Sequence, residues 1–459
     1  MAIHDNVLSA IGNTPLVRLN KVVHPGSATV LCKLEYMNPG GSIKDRMAKF
    51  ILDKAEREGR VKAGGTIVEN TSGNTGVGVA LVGAVRGYRC VFTMPDKMSK
   101  EKQDTLKAFG AKVVVTPTNV PADSPESYYS TAKRLHAESP GSFYLNQYHN
   151  RDNVEAHYRS TGPEIWSQTE GRVDAFVAGI GTGGTMSGAG KFLKEQRPGL
   201  RNIGVDPVGS IYHAMFHTGK PSEPHVYKVE GIGEDMVCGA MDMAVMDDVR
   251  QVDDKQCFAM ARRLAREEGI LAGGSSGAAV HVAVEVAKEM GPGKTVVVVL
   301  PDGGRAYISK FFSDEWMRDN GFLEAGPAVV RELLGARKGR VVTARADEPV
   351  HTAARRLREF DVSQLPVVDA SGRCVGMLHE SDVLHFLLDP KRKPSEPVAN
   401  AMASVEGAVT LDTPVEALRA VFDADKVAVV LERGAVVGIV SKIDVIDFLT
   451  RDGAARRPS

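Results

Sequence analysis

Short apolar runs alternate with longer helical patterns from residue 1 to about residue 320. The runs are rich in β-branched residues, and several lead through a Gly- or Ser-rich turn into an Ala-rich helical stretch such as residues 76–86. Strands that are buried on both faces of a parallel sheet carry such continuous apolar runs, with helices between them. The pattern therefore predicts an α/β fold with a parallel sheet, and a mixed α+β arrangement is the alternative. The predicted strands are residues 66–69, 89–94, 112–116, 175–178, 202–205 and 295–300.

The pattern changes around residues 320–338, where a segment containing Gly and Pro leads into a new short helical pattern. Beyond it lie two imperfect repeats of the form V-G-[MI]-[LV]-x-x-x-D-V-[LI], which match Gly376 with Gly438 and Asp382 with Asp444. Self-similarity of this kind indicates repeated structural units. The predicted organisation is a first domain over residues 1–322, a linker over 323–340, and two smaller domains over 341–388 and 398–451.

Composition and charge are those of an ordinary globular protein. Of the 459 residues, 43% are apolar, and 57 Lys and Arg balance 57 Asp and Glu. There is thus no overall field to attract nucleic acid or a membrane surface. The apolar runs are shorter than the roughly 20 residues that a bilayer requires, and the first residues lack a secretory pattern. We expect a cytoplasmic enzyme without nucleic-acid or membrane partners.

The cysteines and histidines show no ligand spacing. The five cysteines are scattered and form no C-x-x-C pair, and the twelve histidines form no H-E-x-x-H motif. This distribution argues against a disulfide framework and a zinc site, and it favours buried, reduced thiols. No metal is expected.

A lysine stands where a loop is predicted to enter a helix. Residues 38–46 have the sequence Asn-Pro-Gly-Gly-Ser-Ile-Lys-Asp-Arg, and an amphipathic stretch follows. The positive end of a helix disfavours an ammonium group and helps to lower the pKa of Lys44. Schiff-base chemistry requires such a neutral amine. A solvated surface lysine is the alternative that this segment alone leaves open.

Three further Gly- or Ser-rich segments precede predicted helices. Residues 70–76, Asn-Thr-Ser-Gly-Asn-Thr-Gly, offer hydroxyls and backbone amides that suit a carboxylate or a phosphate. Residues 179–185, Gly-Ile-Gly-Thr-Gly-Gly-Thr, suit a phosphate because glycine allows close backbone approach. They also match G-x-G-x-x-G, with Asp206 at the distance of a ribose-binding acid, so a nicotinamide-dependent enzyme is an alternative. Residues 271–277 are compatible with either a packing turn or a ligand contact.

Together these motifs resemble the cysteine synthase and cystathionine β-synthase family of pyridoxal-phosphate (PLP) enzymes. N-P-G-G-S-I-K-D-R, T-S-G-N-T-G and G-T-G-G-T occur in the family's order, and Asn-Gln-Tyr-His-Asn at 146–150 is a further match. The C-terminal repeats resemble a pair of CBS domains, which are adenosyl-binding modules. The resemblance implies a fold-type II PLP enzyme with two open, twisted α/β subdomains, followed by a tandem α+β CBS-domain pair.

The resemblance also implies a role for the residues of each motif. Lys44 forms the Schiff base with PLP and then moves the α-proton of the substrate, and Asn74 holds the ring hydroxyl of the cofactor. The residues implied to bind the cofactor phosphate are Gly181, Thr182, Gly183, Gly184 and Thr185. The residues implied to receive the substrate carboxylate are Thr71, Ser72, Gly73, Thr75 and Gln147.

The implied activity is the condensation of L-serine, or an activated serine, with L-homocysteine to give L-cystathionine. The CBS pair is expected to bind a regulatory adenosyl ligand such as S-adenosylmethionine, and the family suggests a homodimer or homotetramer. Cysteine synthesis from O-acetylserine and sulfide is the alternative. An NAD-dependent oxidoreductase and a catalytically silent adenosyl sensor are more distant ones.

Some positions depart from the family pattern. Gly303 stands where family members place a Ser or Thr against the pyridine nitrogen of PLP, so Asp302 or water is the candidate partner of that nitrogen. Glu234 stands where animal enzymes carry Tyr. We expect the heme-binding extension of the animal enzymes to be absent, and therefore no heme.

The two repeats match the CBS-domain pattern unequally. Ser441 and Asp444 fit the [ST]-x-x-D motif, whose Asp accepts hydrogen bonds from ribose hydroxyls. His379 replaces the hydroxyl residue in the first repeat, so Asp382 is a poorer match. A carboxylate at a helix N-terminus is favourable in its own right, which is the alternative explanation of both acids.

Overall fold

The structure is a computed structural model that describes residues 3–96, 98, 100–121, 123–323, 328–335 and 341–452. It divides into two compact units, Met1–Leu323 and Glu324–Ser459. The predicted linker at 323–340 lies partly outside the described residues. Within the described ranges, no helix is both long and apolar enough to cross a membrane.

The first unit contains two sheets surrounded by helices. Its strands are β1 (Leu16–Arg18), β2 (Thr29–Leu34), β3 (Thr66–Asn70), β4 (Arg89–Pro95), β5 (Lys112–Thr116), β6 (Phe143–Tyr144), β7 (Ala175–Gly179), β8 (Arg201–Pro207), β9 (Asp248–Val252) and β10 (Thr295–Leu300). Its helices are α1 (Lys44–Arg57), α2 (Asn74–Arg86), α3 (Lys100–Ala108), α4 (Tyr128–Ala137), α5 (Asp152–Arg159), α6 (Thr161–Gln168), α7 (Lys191–Gln196), α8 (Tyr212–Thr218), α9 (Asp254–Arg263), α10 (Gly274–Met290) and α11 (Asp314–Asp319).

The larger sheet has the strand order β1-β2-β10-β7-β8-β9, and the smaller has the order β5-β4-β3-β6. All pairings are parallel except that of β1 with β2. In the register of the larger sheet, Val298 lies opposite both Cys32 and Val177. The structure therefore confirms the predicted parallel sheet, and it adds a second sheet and an antiparallel edge strand.

Strand β10 forms the centre of the larger sheet because its sequence, Thr-Val-Val-Val-Val-Leu, presents apolar side chains to both faces. Five of its six residues are buried, and each fully buried Val contributes about 1.5–3 kcal/mol to folding. The Ala- and Val-rich helix α10 covers one face and packs closely on α9. Gly277 permits this approach, since a Cβ at this position would lie 2.1 Å from the carbonyl oxygen of Cys257.

Helix α1 attaches to the smaller sheet through a buried apolar face that includes Met47, Ile51 and Leu52. These residues recur at the spacing of one helix face. Helix α2 packs against the first turn of α1. A Cβ on Gly78 of α2 would lie 2.9 Å from the carbonyl oxygen of Lys44. The glycine thus lets α2 approach the first turn of α1, where Lys44 lies.

The second unit contains two three-stranded sheets. Its helices are α12 (Val330–Leu334), α13 (Val350–Glu359), α14 (Glu380–Leu388), α15 (Leu418–Asp423) and α16 (Lys442–Asp452). Its strands are β11 (Ala344–Arg345), β12 (Gln364–Val368), β13 (Cys374–His379), β14 (Ala408–Val409), β15 (Ala428–Glu432) and β16 (Ala435–Val440).

The two C-terminal repeats share one topology. In each, a short strand pairs in parallel with a second strand, which pairs antiparallel with a third. Gly376 lies opposite Val367 and Gly438 lies opposite Val430, and the register shifts immediately after both positions. Each repeat has its own apolar core. The sequence match of Gly376 with Gly438 therefore reflects a repeated structural position.

Candidate active site

A cavity of about 490 Å³ lies at the carboxyl ends of the parallel strands in the first unit. Its wall includes Asn74 after β3, Pro95 at the end of β4, Pro117 after β5, Thr182 after β7 and Pro301 after β10. Ligands of open α/β sheets bind at this edge, because the loops that leave parallel strands converge there. The volume is typical of small-molecule sites, which span about 300–1,000 Å³.

Lys44 is the first residue of α1 and lines this cavity. The preceding loop is tied to the end of β10, because the amide of Ile43 donates to the carbonyl oxygen of Pro301 at 2.8 Å. Burial lowers the pKa of the Lys44 ammonium, against the opposing charges of Asp302 and Glu234. The helix N-terminus also disfavours the positive charge. The predicted placement of Lys44 at a helix start is confirmed, and its amine is suited to attack an aldehyde.

The loop between β3 and α2 holds its shape through Thr71. The buried hydroxyl of Thr71 accepts hydrogen bonds from the amides of Gly73 and Gly76, each at 3.0 Å. Ser72, Asn74 and Thr75 line the cavity, whereas Thr71 and Gly73 shape the loop behind it.

Gln147 joins this loop from a different part of the chain. It lines the cavity and accepts a hydrogen bond from the hydroxyl of Thr75 at 2.6 Å. The side-chain amide of Gln147 also donates to the carbonyl oxygen of Asn70 at 3.3 Å. Ser72, Thr75 and Gln147 thus bring polar groups to the wall of the cavity that Lys44 also lines. The Ser72 hydroxyl and the second hydrogen of the Gln147 amide are donors that suit a carboxylate, and the Thr75 hydroxyl becomes a donor to a ligand when it releases Gln147.

The loop after β7 has the geometry of an anion site. In the described residues, the amides of Gly181, Thr182 and Gly183 donate to no acceptor. A Cβ on Gly184 would lie 2.1 Å from Oδ1 of Asn153, and a Cβ on Gly183 would lie 2.5 Å from Cα of Met241. Only glycine fits at these two positions. Free backbone amides before a helical segment attract phosphate.

The side chains of Thr182 and Thr185 in this loop contact helix α5. Asn153 donates from Nδ2 to the hydroxyl of Thr182 at 3.1 Å, and Thr182 lines the cavity. The hydroxyl of Thr185 lies 3.5 Å from Nε2 of the buried His157. Thr182 thus faces the cavity, while Thr185 is anchored to α5.

We expect Gly183→Ala to weaken cofactor binding. Gly183 has φ +91°, which a Cβ strains, and the added methyl group would collide with the Met241 backbone. Strain of this kind costs about 1–3 kcal/mol, so the Kd for PLP should rise roughly tenfold or more, as measured by titration of the apoenzyme. The matched control is Gly199→Ala, because Gly199 is exposed and an added Cβ would meet no atom within 4 Å. Equal affinities of the two variants would contradict this role of the loop.

Asp302, a candidate partner of the pyridine nitrogen, accepts two hydrogen bonds from neighbouring side chains. Its carboxylate accepts hydrogen bonds from Nδ2 of Asn74 at 2.9 Å and from the hydroxyl of Tyr307 at 2.8 Å. Burial raises the pKa of Asp302, while these two hydrogen bonds lower it. Asp302 therefore orients Asn74, the residue implied to hold the ring hydroxyl. Ser275, at the start of α10, also lines the cavity, so the segment at 271–277 contributes to both packing and the cavity wall.

Several cavity residues were not identified from the sequence. Tyr128, Tyr129 and Tyr227 line one side of the cavity, but they lie in segments without a recognisable motif. Tyr148 also lines it; it falls within Asn-Gln-Tyr-His-Asn, a motif used for the family match without a role for its Tyr. Because aromatic residues in irregular loops carry no periodic signal, the tertiary structure was needed to bring them together.

Asp206 does not have the exposure of a ribose-binding acid. It is completely buried, and its carboxylate accepts a hydrogen bond from the amide of His213 at 2.9 Å, near the start of α8. Burial raises the pKa of Asp206 to about 6. The residue therefore serves a local structural purpose at the helix start.

In the second unit, the candidate ligand acids cap helices. The carboxylate of Asp444 accepts from the amide and the hydroxyl of Ser441 at 2.8 and 2.7 Å. The carboxylate of Asp382 accepts from the amide of His379 at 2.9 Å. A separate cavity of about 450 Å³ in this unit is lined by apolar residues together with Arg331 and Gln364, and it includes neither acid.

The residues of the first cavity fit pyridoxal phosphate. An amine with a lowered pKa, a glycine loop with free amides and a group of polar side chains suited to a carboxylate meet at one cavity. Lys44 would hold the cofactor aldehyde, the loop at 181–185 its phosphate, and Asn74 its ring hydroxyl.

Family models and relatives agree with this geometry. The model of pyridoxal-phosphate dependent enzymes matches residues 7–302, and the model of the CBS domain matches residues 330–389. The cystathionine beta-synthase of Dictyostelium discoideum is 38% identical over 470 residues, which cover 98% of this chain and 93% of the relative. A cysteine synthase of Staphylococcus aureus is 47% identical over 306 residues, which cover 66% of this chain and 96% of the relative.

A solved structure also resembles the first part of the chain. The O-acetylserine dependent cystathionine beta-synthase from Helicobacter pylori aligns with a TM-score of 0.62 and 35% identity, covering 68% of this chain and 99% of that one. These findings do not support the alternative hypothesis that the chain is an NAD-dependent oxidoreductase. The protein is a PLP-dependent enzyme of β-replacement. The chain belongs to the cystathionine β-synthase family of fold-type II pyridoxal-phosphate enzymes, with a CBS domain in its C-terminal part.

Proposed function

We propose that the chain condenses L-serine, or an activated serine such as O-acetylserine, with L-homocysteine to form L-cystathionine. The observation that carries this proposal is the convergence of Lys44 with a carboxylate-binding loop in one cavity that has room for a second amino acid. The relative that matches 98% of the chain is named a cystathionine beta-synthase, which supports homocysteine as the acceptor.

In this proposal, the substrate carboxylate binds to Ser72, Thr75 and Gln147, which places its α-carbon near Lys44. PLP supplies the electron sink that stabilises negative charge at this carbon. The amine of Lys44 takes the α-proton and later returns it, because burial lowers its pKa and so favours the neutral, basic form. The β-substituent leaves as water or acetate, and the thiol sulfur forms the new bond to the β-carbon.

The cofactor is oriented by residues behind the cavity wall. Asp302 accepts from Asn74 and Tyr307, so the Asn74 side chain, which would hold the ring hydroxyl, is restrained in one orientation. The loop at 181–185 would hold the phosphate of the cofactor. Because these side chains are already oriented, no free energy is spent on reorienting them during the reaction.

Cysteine synthesis from O-acetylserine and sulfide is the second candidate. It is favoured by the 47% identity over 306 aligned residues to a cysteine synthase. The H. pylori enzyme named as O-acetylserine dependent supports an activated serine as donor with either acceptor. Donor and acceptor choice are therefore separate questions for experiment.

The deciding experiment supplies each donor, serine or O-acetylserine, with each acceptor, homocysteine or sulfide. The purified holoenzyme is assayed for cystathionine and cysteine by mass spectrometry. We expect kcat/KM with homocysteine to exceed that with sulfide at least about tenfold, a difference of about 1.4 kcal/mol in transition-state binding. Faster formation of cysteine than of cystathionine with both donors would reject the proposal in favour of cysteine synthesis.

Regulation by an adenosyl ligand at the C-terminal unit is a further part of the proposal. The cavity lined by Arg331, Gln364 and apolar side chains has a volume that suits a nucleoside. The proposed ligand contacts from the sequence, Asp444, Ser441 and Asp382, lie outside the wall of that cavity, and each acid also caps a helix. A ligand regulates only if it binds two arrangements of the unit unequally. The same assay with and without S-adenosylmethionine tests this, and unchanged rates at saturation would contradict it. The cytoplasmic location and the homodimer or homotetramer stay predictions.

A further inference from the structure

Glu234 occupies the cavity wall on a loop with a rigid backbone. Its amide donates to the hydroxyl of Ser210 at 3.0 Å, and its carbonyl oxygen accepts from the amide of Ile211 at 3.2 Å. The preceding Gly233 has φ +76°, and a Cβ there would lie 2.4 Å from Cγ of Pro207. The backbone therefore holds Glu234 in a defined position at the cavity.

The carboxylate of Glu234 has no partner among the described residues. It accepts no hydrogen bond and forms no ion pair there. Burial and the neighbouring Asp235 raise the pKa of Glu234 to about 8, while the charge of Lys44 lowers it. Asp206 also raises it. The charge of Lys44 thus opposes the rise in the pKa of this acid, and its amine would be taken up by the cofactor aldehyde.

The walls around Glu234 are aromatic. Tyr128, Tyr129, Tyr148 and Tyr227 line the same cavity, and the charge of Glu234 is one of the causes that raise the pKa of each hydroxyl. The hydroxyls of Tyr128 and Tyr148 lie 3.1 Å apart, and the rings of Tyr129 and Tyr148 are 5.5 Å apart. An unpaired carboxylate among aromatic rings is a favourable site for an ammonium group.

We propose that Glu234 is a specificity-determining residue whose carboxylate binds the ammonium group of the acceptor thiol. This inference rests on the proposed function. An amino-acid thiol brings a cation that pairs with Glu234, whereas sulfide is an anion near neutral pH and gains nothing from a carboxylate. Glu234 therefore selects an amino-acid thiol over sulfide, and the binding of the ammonium stabilises the ionised carboxylate.

The test compares three acceptors with one donor in the holoenzyme: L-homocysteine, its des-amino analogue 4-mercaptobutanoate, and sulfide. The wild type should use homocysteine far better than the analogue. In Glu234→Gln, kcat/KM for homocysteine should fall roughly 10- to 100-fold, the loss expected for a hydrogen bond to a charged group. The values for the analogue and for sulfide should fall by no more than about twofold. Glu234→Asp keeps the charge and should retain part of the preference.

Two further measurements distinguish a failure of the inference about Glu234 from a failure of the proposed function. The spectral rate of donor consumption without acceptor reports any effect of Glu234→Gln on Lys44, and the loss of kcat/KM with homocysteine should exceed any loss in that rate. The matched control is Glu223→Gln, because Glu223 is exposed and lies outside the cavity wall. An unchanged ratio of homocysteine to analogue in Glu234→Gln overturns this inference alone. A wild type that uses sulfide but not homocysteine overturns the proposed function.

The inference can be tested even if the Glu234→Gln variant does not fold. The wild type alone must discriminate against 4-mercaptobutanoate, since that thiol lacks the ammonium group. Equal turnover of homocysteine and this analogue by the wild type would overturn the inference without any variant.

Discussion

Lys44→Ala should abolish turnover and remove the covalent attachment of the cofactor. Lys44 combines a position at the start of α1, a lowered pKa and a place in the cavity wall. Loss of a positioned acid–base group lowers rates by about 10²–10⁴-fold, and loss of the attachment site adds to this. Steady-state assays and the visible absorption of the purified protein measure both effects.

The matched control is Lys49→Ala, because Lys49 lies on the same helix and pairs with Asp53 at 2.7 Å. That variant should keep its colour and nearly all its activity. Borohydride reduction of the wild type followed by peptide mapping should place the cofactor on Lys44. A label on Lys102, which also lines the cavity, would show that the wrong amine has been assigned.

Arg46→Ala should destabilise the first unit by about 3–5 kcal/mol, the usual cost of removing one partner from a buried ion cluster. The Arg46 guanidinium donates to both oxygens of Glu35, at 2.6 and 2.8 Å, and to both oxygens of Glu164, each at 2.7 Å. Arg46 and Glu35 are 4% and 0% exposed. Without the guanidinium, the buried carboxylate of Glu35 loses its counter-ion.

Denaturant unfolding followed by tryptophan fluorescence measures this loss, since both tryptophans, Trp166 and Trp316, lie in the first unit. The control is Arg172→Ala, because the ion pair of Arg172 with Glu170 is exposed, with both side chains at 76%. Exposed pairs contribute about 0–1 kcal/mol. Similar free energies of unfolding for the two variants would show that the buried cluster stabilises the first unit no more than an exposed ion pair does.

Much of the first unit could be predicted from its sequence. Each predicted strand is present, with β5 at Lys112–Thr116 and β10 at Thr295–Leu300 ending where predicted. The predicted helix after residue 76 begins two residues earlier, at Asn74. These elements depend on the apolar pattern and on glycine positions in neighbouring turns, which are local properties. The antiparallel pairing of β1 was not predicted, since a three-residue strand carries too short a pattern.

The candidate site was predictable only where a motif is contiguous. The segments around Lys44, Asn74 and Gly183 are short stretches in which glycine or hydroxyl side chains stand out. The pairing of Asp302 with Asn74 joins positions 228 residues apart, and it depends on how the loop after β10 meets the loop after β3. The departure from the family pattern left Asp302 or water as candidates for the ring nitrogen. The structure adds that Oδ2 of Asp302 accepts from Asn74 and Tyr307, while Oδ1 has no hydrogen-bond partner among the described residues.

The strands, the repeated C-terminal units, the family and the lysine at a helix start could all be established from the order of residues alone, because each depends on neighbours along the chain. The missing partner of Glu234, the four tyrosines around it and the restraint of Asn74 by Asp302 became visible when the chain was folded. Those relations arise where loops from two separate sheets converge, and the energy of a buried charge depends on every group around it, however distant in sequence.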